Sequence, residues 1–206
     1  MRKITYVLAV IVVFAGIPAA FAAEALIGSV VRCEGQCFGA NAGTRESLTA
    51  GTGVRLMETV STGAASRLEL AFDDGTHVTL GEKAELVVDD FVYGPAAAGR
   101  FHAAIVGAFR YISASLGAGA TRTASVTTPL ALIGVRGTDF WGGSSNGVAG
   151  VVVFTGVVSV TTAAGTVILS APGQGTNLTA SSAAPSPVTQ WSQDRIESAV
   201  AAVAFH

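Results

Sequence analysis

Few side chains in this sequence are spaced for chemistry. Cys33 and Cys37 lie in the short string CEGQC. Thiols this close can form a disulfide or supply part of a metal site. A metal needs further ligands, and no histidine lies near them in sequence, so a disulfide that pins a turn is expected. A closed bridge also removes the nucleophile that a cysteine enzyme would use. Asp73-Asp74-Gly75 offers too few oxygens for calcium and reads as a hairpin turn. Asp89 and Asp90, adjacent on a strand, would point to opposite faces and could not act as a pair. His77, between Thr76 and Thr79, reads as an ordinary strand residue. His102 and His206 have no acidic or cysteine companions at metal spacing. No Gly-x-Ser-x-Gly, HExxH or phosphate-loop pattern occurs. The expectation is a protein that is not an enzyme and has no cofactor and no metal.

One stretch organises the rest. Residues 127–140 read TTPLALIGVRGTDF. Leu130, Leu132, Ile133 and Val135 call for burial. Pro129 fixes its own φ and biases Thr128 toward extended structure. Gly134 and Gly137 flank Val135 and Arg136 and allow tight bends or close backbone approach. A guanidinium in such a run is costly to bury without a partner. Arg136 is therefore expected to be buried against a carboxylate and backbone carbonyls, holding two strands in register. Asp139 is the local candidate partner; Asp73 and Asp74 are remote ones. The alternative is a contact with an anion or a partner protein in a groove. Phe140 and Trp141 alternate, so one ring faces in and the other out. An outward Trp141 could serve as a platform for a sugar or a protein; otherwise it edges the core. Trp191 reads as a packing anchor.

The N-terminus sets the compartment. Arg2 and Lys3 precede an uncharged run that ends in Ala20-Phe21-Ala22. This pattern predicts a signal peptide over residues 1–22, cleaved after Ala22 or Ala23. The alternative is an uncleaved anchor, because the run is long enough to span a bilayer. Pro18 and the small residues beside it favour cleavage, which leaves no stable membrane anchor. A periplasmic or secreted protein meets oxidising conditions, which suits the Cys33–Cys37 bridge. The net charge of −2 becomes more negative once Arg2 and Lys3 leave. A mildly acidic chain without a basic patch argues against nucleic acid as a partner.

The length suits one domain with a real core. Abundant Ala, Gly, Val and Thr, with no long charged helix, favour an all-β fold. Strands are expected over 25–32, 53–60, 67–72, 77–80, 85–93, 124–132, 134–141 and 166–170. The alternation of Leu68, Leu70 and Phe72 with Arg67, Glu69 and Ala71 marks a half-buried strand. Residues 148–154 and 157–162 read as a hairpin around Gly156, and 142–147 as a turn. Residues 38–50, 96–99 and 116–122 read as loops. Residues 101–113 fit either a strand bulged at Gly107 or a helix. Short strands with frequent turns suggest a sandwich, barrel or β-solenoid. The β domain is expected over 24–179, followed by a linker over 180–189. Ile196, Val200 and Val203 then fall at helical spacing, so residues 190–206 read as an amphipathic helix capped near Ser192.

The string TPLALIGVRGTDF resembles the signature of the FecR family of envelope proteins. Thr128 and Pro129 supply its Thr-Pro; Gly134 ends the apolar run; Val135, Arg136, Gly137 and Thr138 supply its Val-Arg-Gly-Thr; Asp139 and Phe140 supply its acidic and aromatic residues. RLELAFDDGTHVTLGEKAEL resembles the family's earlier block, and GVVVFTGVVSVTTAAGTVILSAPGQG its closing strands. The resemblance spans residues 28–178. It implies an all-β stack of short strands, β-solenoid-like or sandwich-like, and it tips 101–113 to strand. It also implies a Gram-negative-type envelope. The best-known members relay a signal from an outer-membrane transporter to a cytoplasmic sigma factor. They carry an anti-sigma segment and a transmembrane helix before the domain. Here a signal peptide stands in that place, so a stand-alone interaction module is expected. Its partner would be another envelope protein, met through strand edges and exposed loops. The alternative is envelope or extracellular polysaccharide.

Overall fold

The computed structural model describes residues 25–94, 99–114 and 122–206. The leader and its cleavage site lie outside the described residues, as do most of the loops read at 96–99 and 116–122.

Among the described residues the fold is all-β with one short helix near the C-terminus. The first eight strands are β1 (Leu26–Glu34), β2 (Cys37–Asn41), β3 (Thr44–Ser47), β4 (Gly53–Arg55), β5 (Thr59–Thr62), β6 (Arg67–Phe72), β7 (His77–Leu80) and β8 (Glu85–Val92). Then come β9 (Gly99–Val106), β10 (Phe109–Ile112), β11 (Arg122–Thr127), β12 (Leu132–Ser145), β13 (Val148–Thr162), β14 (Gly165–Leu169), β15 (Gln174–Asn177) and β16 (Thr189–Gln190). The helix is α1 (Gln193–Ala201).

All the strands belong to one sheet with two arms. One arm runs β4-β1-β6-β7-β10 and the other runs β3-β2-β5-β8-β9-β11. β12 joins them: its first half pairs with β11 and its second half with β10. β13 follows β12 across both arms, with β14 beyond one half and β15 beyond the other. The sheet curls into a half-barrel. The Cys33–Cys37 disulfide forms as expected, and it joins strands that stand near opposite ends of the pairing order. Its Cα atoms are 6.2 Å apart, so it ties the two arms at one crossing.

Alternating side chains from both arms fill the space between them. Leu68, Leu70, Val78 and Leu80 from one arm meet Leu86, Phe101 and Ile105 from the other in a single buried cluster. Each such side chain contributes about 1.5–3 kcal/mol through its burial. A row of rings crosses the core: Phe72–Phe101 centroids are 5.1 Å apart, Phe101–Tyr111 5.6 Å and Tyr111–Phe140 5.4 Å.

Several segments differ from the sequence reading. Residues 38–50 are not a loop; they hold the hairpin of β2 and β3, which turns at Ala42-Gly43. β3 is an exposed edge strand, so its polar residues have a loop's composition. Residues 101–113 are extended, broken at Gly107 with φ +97. The turn read at 142–147 shrinks to Asn146-Gly147, because β12 continues to Ser145. Gly156 makes no hairpin: β13 runs through it as one bent strand. Residues 180–189 are tied to the sheet, with Thr176 Oγ1 donating to the Ser186 carbonyl at 2.7 Å and Ser186 N donating to the Asn177 carbonyl at 3.0 Å. Ser192 is the N-cap of α1 and extended, although its side chain makes no capping bond.

Candidate functional site

β12 must bend where it passes from one arm to the other, and the bend falls on Arg136-Gly137-Thr138. The register against β13 shifts between Arg136 and Asp139. Gly137 has φ +58 and Gly156, on the facing strand, has φ +80. A Cβ on Gly156 would lie 2.1 Å from the Gly137 carbonyl oxygen, so the two backbones can meet only at a glycine. Side chains replace the ladder bonds that the bulge breaks. Thr138 Oγ1 donates to the Val157 carbonyl at 3.0 Å and accepts from Arg136 N at 3.2 Å. Thr138 N donates to Ser113 Oγ at 2.7 Å. The Thr-Pro at the other end of the motif is also tied down: Thr128 Oγ1 accepts from Ala131 N at 3.0 Å, closing the turn around Pro129.

This bend overturns the expectation for Arg136. The residue is exposed and makes no ion pair among the described residues. Val135 on one side and Thr138 on the other are buried, and the bulge leaves Arg136 on the outer face. Two of its candidate partners belong to other arginines. Arg110 holds Asp139 through two bonds, Nε to Oδ1 at 2.9 Å and Nη2 to Oδ2 at 2.7 Å. These bonds raise the Arg110 guanidinium above its ordinary pKa. Arg122 pairs with Asp74, both side chains being about 95% buried: their exposures are 6% and 5%. The remaining candidate, Asp73, also makes no ion pair with it.

Trp141 is likewise corrected. Phe140 and Trp141 do face opposite sides, yet both are fully buried. Phe140 joins the main core, whereas Trp141 packs with Val152, Trp191, Ala199 and Val203 beneath α1. The two indole rings meet edge-on at 6.2 Å. The helix covers the outer face there, so Trp141 offers no platform. Trp191 is the packing anchor the sequence suggested, with the Arg195 guanidinium 3.5 Å above its ring.

The pairing also gathers groups that sequence spacing kept apart. A bulge between Val88 and Asp90 brings both neighbouring aspartates into contact with β9 rather than splitting them. Asp90 binds Arg100 at 2.8 Å, which lowers the Asp90 pKa. Asp89 binds His102 Nδ1, and His102 Nε2 lies 3.0 Å from Thr127 Oγ1. Carboxylate, imidazole and hydroxyl thus stand in the order of a nucleophile relay. Thr127 itself stands in the sheet, paired with Ala104 of β9 and Leu132 of β12. His77 meets Glu69 at 3.3 Å across the β6–β7 hairpin. Among the described residues, no group of three or more His, Cys, Asp or Glu could hold a metal ion.

A cleft of about 600 Å³ lies beside the bend, with Arg122, Thr123, Gly134, Arg136, Val157 and Ser159 in its walls. A second cleft, of about 430 Å³, is lined by Pro129, Leu130, Ile133 and Leu178. Arg67 and Glu82 both stand in the second cleft, so its charges cancel.

Comparison with known families matches residues 58–159 to the FecR protein family. Residues 58–159 belong to the FecR family. The FecR span begins just before β5 and ends within β13, so it contains the bend and both of its glycines. Two crystal structures of a candidate anti-sigma factor from Parabacteroides distasonis ATCC 8503, at 1.65 and 2.50 Å resolution, share the fold. Each is 16% identical with a TM-score of 0.53, over 68% of this chain and 62% of that one. The chain thus spans less than two thirds of the length of these structures. No curated protein matches the sequence.

Proposed function

We propose that this chain is a signalling-related, non-enzymatic FecR module of the cell envelope that acts by binding another envelope protein. The leader at 1–22 would deliver it to the periplasm or the exterior. The observation that carries this reading is the FecR domain itself, over 58–159. The geometry supports a binding role. The signature residues build a hydrogen-bonded bend, and the charged side chain at the bend is left facing solvent. No helix among the described residues is long and apolar enough to cross a membrane.

The test is capture of the protein from crosslinked envelopes, with the products identified by mass spectrometry. Recovery of one envelope protein in near-stoichiometric amount is expected. Recovery of polysaccharide without protein, or of the chain alone, would overturn the reading. Sequencing the purified product should find its first residue at Ala23 or Glu24; a chain that keeps Met1 would refute export by cleavage.

A further inference from the structure

The cleft beside the bend has the chemistry of an anion site. Arg136 stands in its wall, exposed and without a counter-ion among the described residues. Arg122 stands in the same wall with its side chain only 6% exposed. Arg122 Nη2 serves Asp74 and Thr76, while Nε and Nη1 have no hydrogen-bond partner among the described residues and the guanidinium lies 5.7 Å from the core ring of Phe101. Gly134 makes room for the Ser159 hydroxyl in the floor: a Cβ there would lie 2.5 Å from Ser159 Oγ. Among the described residues no carboxylate lines the cleft. Its rim is aliphatic, with Val157 39% and Ile168 60% exposed.

We propose that this cleft binds a carboxylate side chain, flanked by aliphatic residues, on an acidic peptide segment of the protein partner. The proposal rests on the interaction-module reading and names the chemistry of the partner at that site. A guanidinium binds a carboxylate through paired, charge-assisted bonds, and an exposed Arg136 is free to offer both. Asp74 already neutralises Arg122, so Arg136 supplies the net positive charge. The aliphatic rim then accepts the neighbouring apolar side chains. A glycan would instead look for an aromatic platform, and Trp141 and Trp191 lie buried beneath and beside α1.

The test is a titration of ¹⁵N-labelled full-length protein with acetyl-Leu-Asp-Leu-amide, followed by NMR. The same titration is run with acetyl-Leu-Asn-Leu-amide and with a uronic acid trisaccharide. The aspartyl peptide is expected to shift the amide signals of Arg136, Gly137, Val157 and Ser159 to saturation. The asparaginyl peptide should leave them in place. Arg136→Gln should weaken the aspartyl peptide at least about tenfold with its melting temperature unchanged. Arg136→Lys should retain part of the binding. Equal binding of both peptides, full binding by Arg136→Gln, or preference for the trisaccharide would overturn the proposal. Envelope capture separates the two levels. A partner captured equally by parent and Arg136→Gln would overturn this site and leave the module reading intact. Failure to capture any partner would overturn the module reading on which the site depends.

Discussion

The arginines of this chain divide by what the fold brings to them. Arg110 receives a carboxylate from β12 and Arg122 one from the β6–β7 turn, whereas Arg136 receives none among the described residues. The Arg122–Asp74 pair is the most sheltered, and removing one partner strands a buried charge. Asp74→Ala is expected to cost about 3–5 kcal/mol in urea unfolding. The double variant Asp74→Ala with Arg122→Met should recover most of that loss, and a double variant as unstable as the single one would contradict the pairing. The sequence showed the Asp-Asp-Gly turn correctly: Gly75 has φ +82, and Thr76 N bonds Asp74 Oδ1 at 2.8 Å. It did not show the ion pair, because Arg122 lies 48 residues away. Local spacing favoured Asp139 as the partner of Arg136, but β10 runs beside it and carries Arg110. The His102 contacts were hidden for the same reason, since Asp89 and Thr127 reach it from two other strands.

Strands and turns were legible where periodicity was clean. β6 and β7 alternate as read, and the Val-Arg-Gly-Thr block falls on β12. Glycine was the ambiguous signal. At Gly156 a hairpin and a bulge make the same demand for positive φ, and only the partner strand decides between them. Here β12 bends in step, and the Gly137 carbonyl occupies the place of a Gly156 side chain. Gly156→Ala must therefore distort the bend as well as adopt an unfavourable φ. The expected loss is at least about 1–3 kcal/mol, measured by thermal or urea unfolding. A neutral substitution would show that the two backbones are free to separate. Thr138 belongs to the same element: its hydroxyl and amide fasten the bend to β13 and to Ser113, which is why its neighbour Arg136 can project without cost to the core.

The described strands form one sheet folded on itself, and the all-β class followed from the frequent turns and small residues. The choice between solenoid and sandwich did not, because it depends on pairings between distant strands. The disulfide at the crossing and β12 at the join hold the arms together. α1 then covers the one outer patch that carries Trp141. Truncation before Ser192 should expose both tryptophans. Their emission should move to longer wavelength and acrylamide quenching should rise, with the β-sheet circular dichroism kept. Unchanged emission would mean that α1 does not shield Trp141.

The interaction reading turns on Arg136 facing outward from a bend that does not need its charge. Urea unfolding of Arg136→Met, run beside envelope capture with the same variant, measures this most directly. The expected result is stability within about 0.5 kcal/mol of the parent, as for surface substitutions, together with loss of the captured partner. A stability loss of about 3–5 kcal/mol would instead mark a buried, paired guanidinium and contradict the outward role.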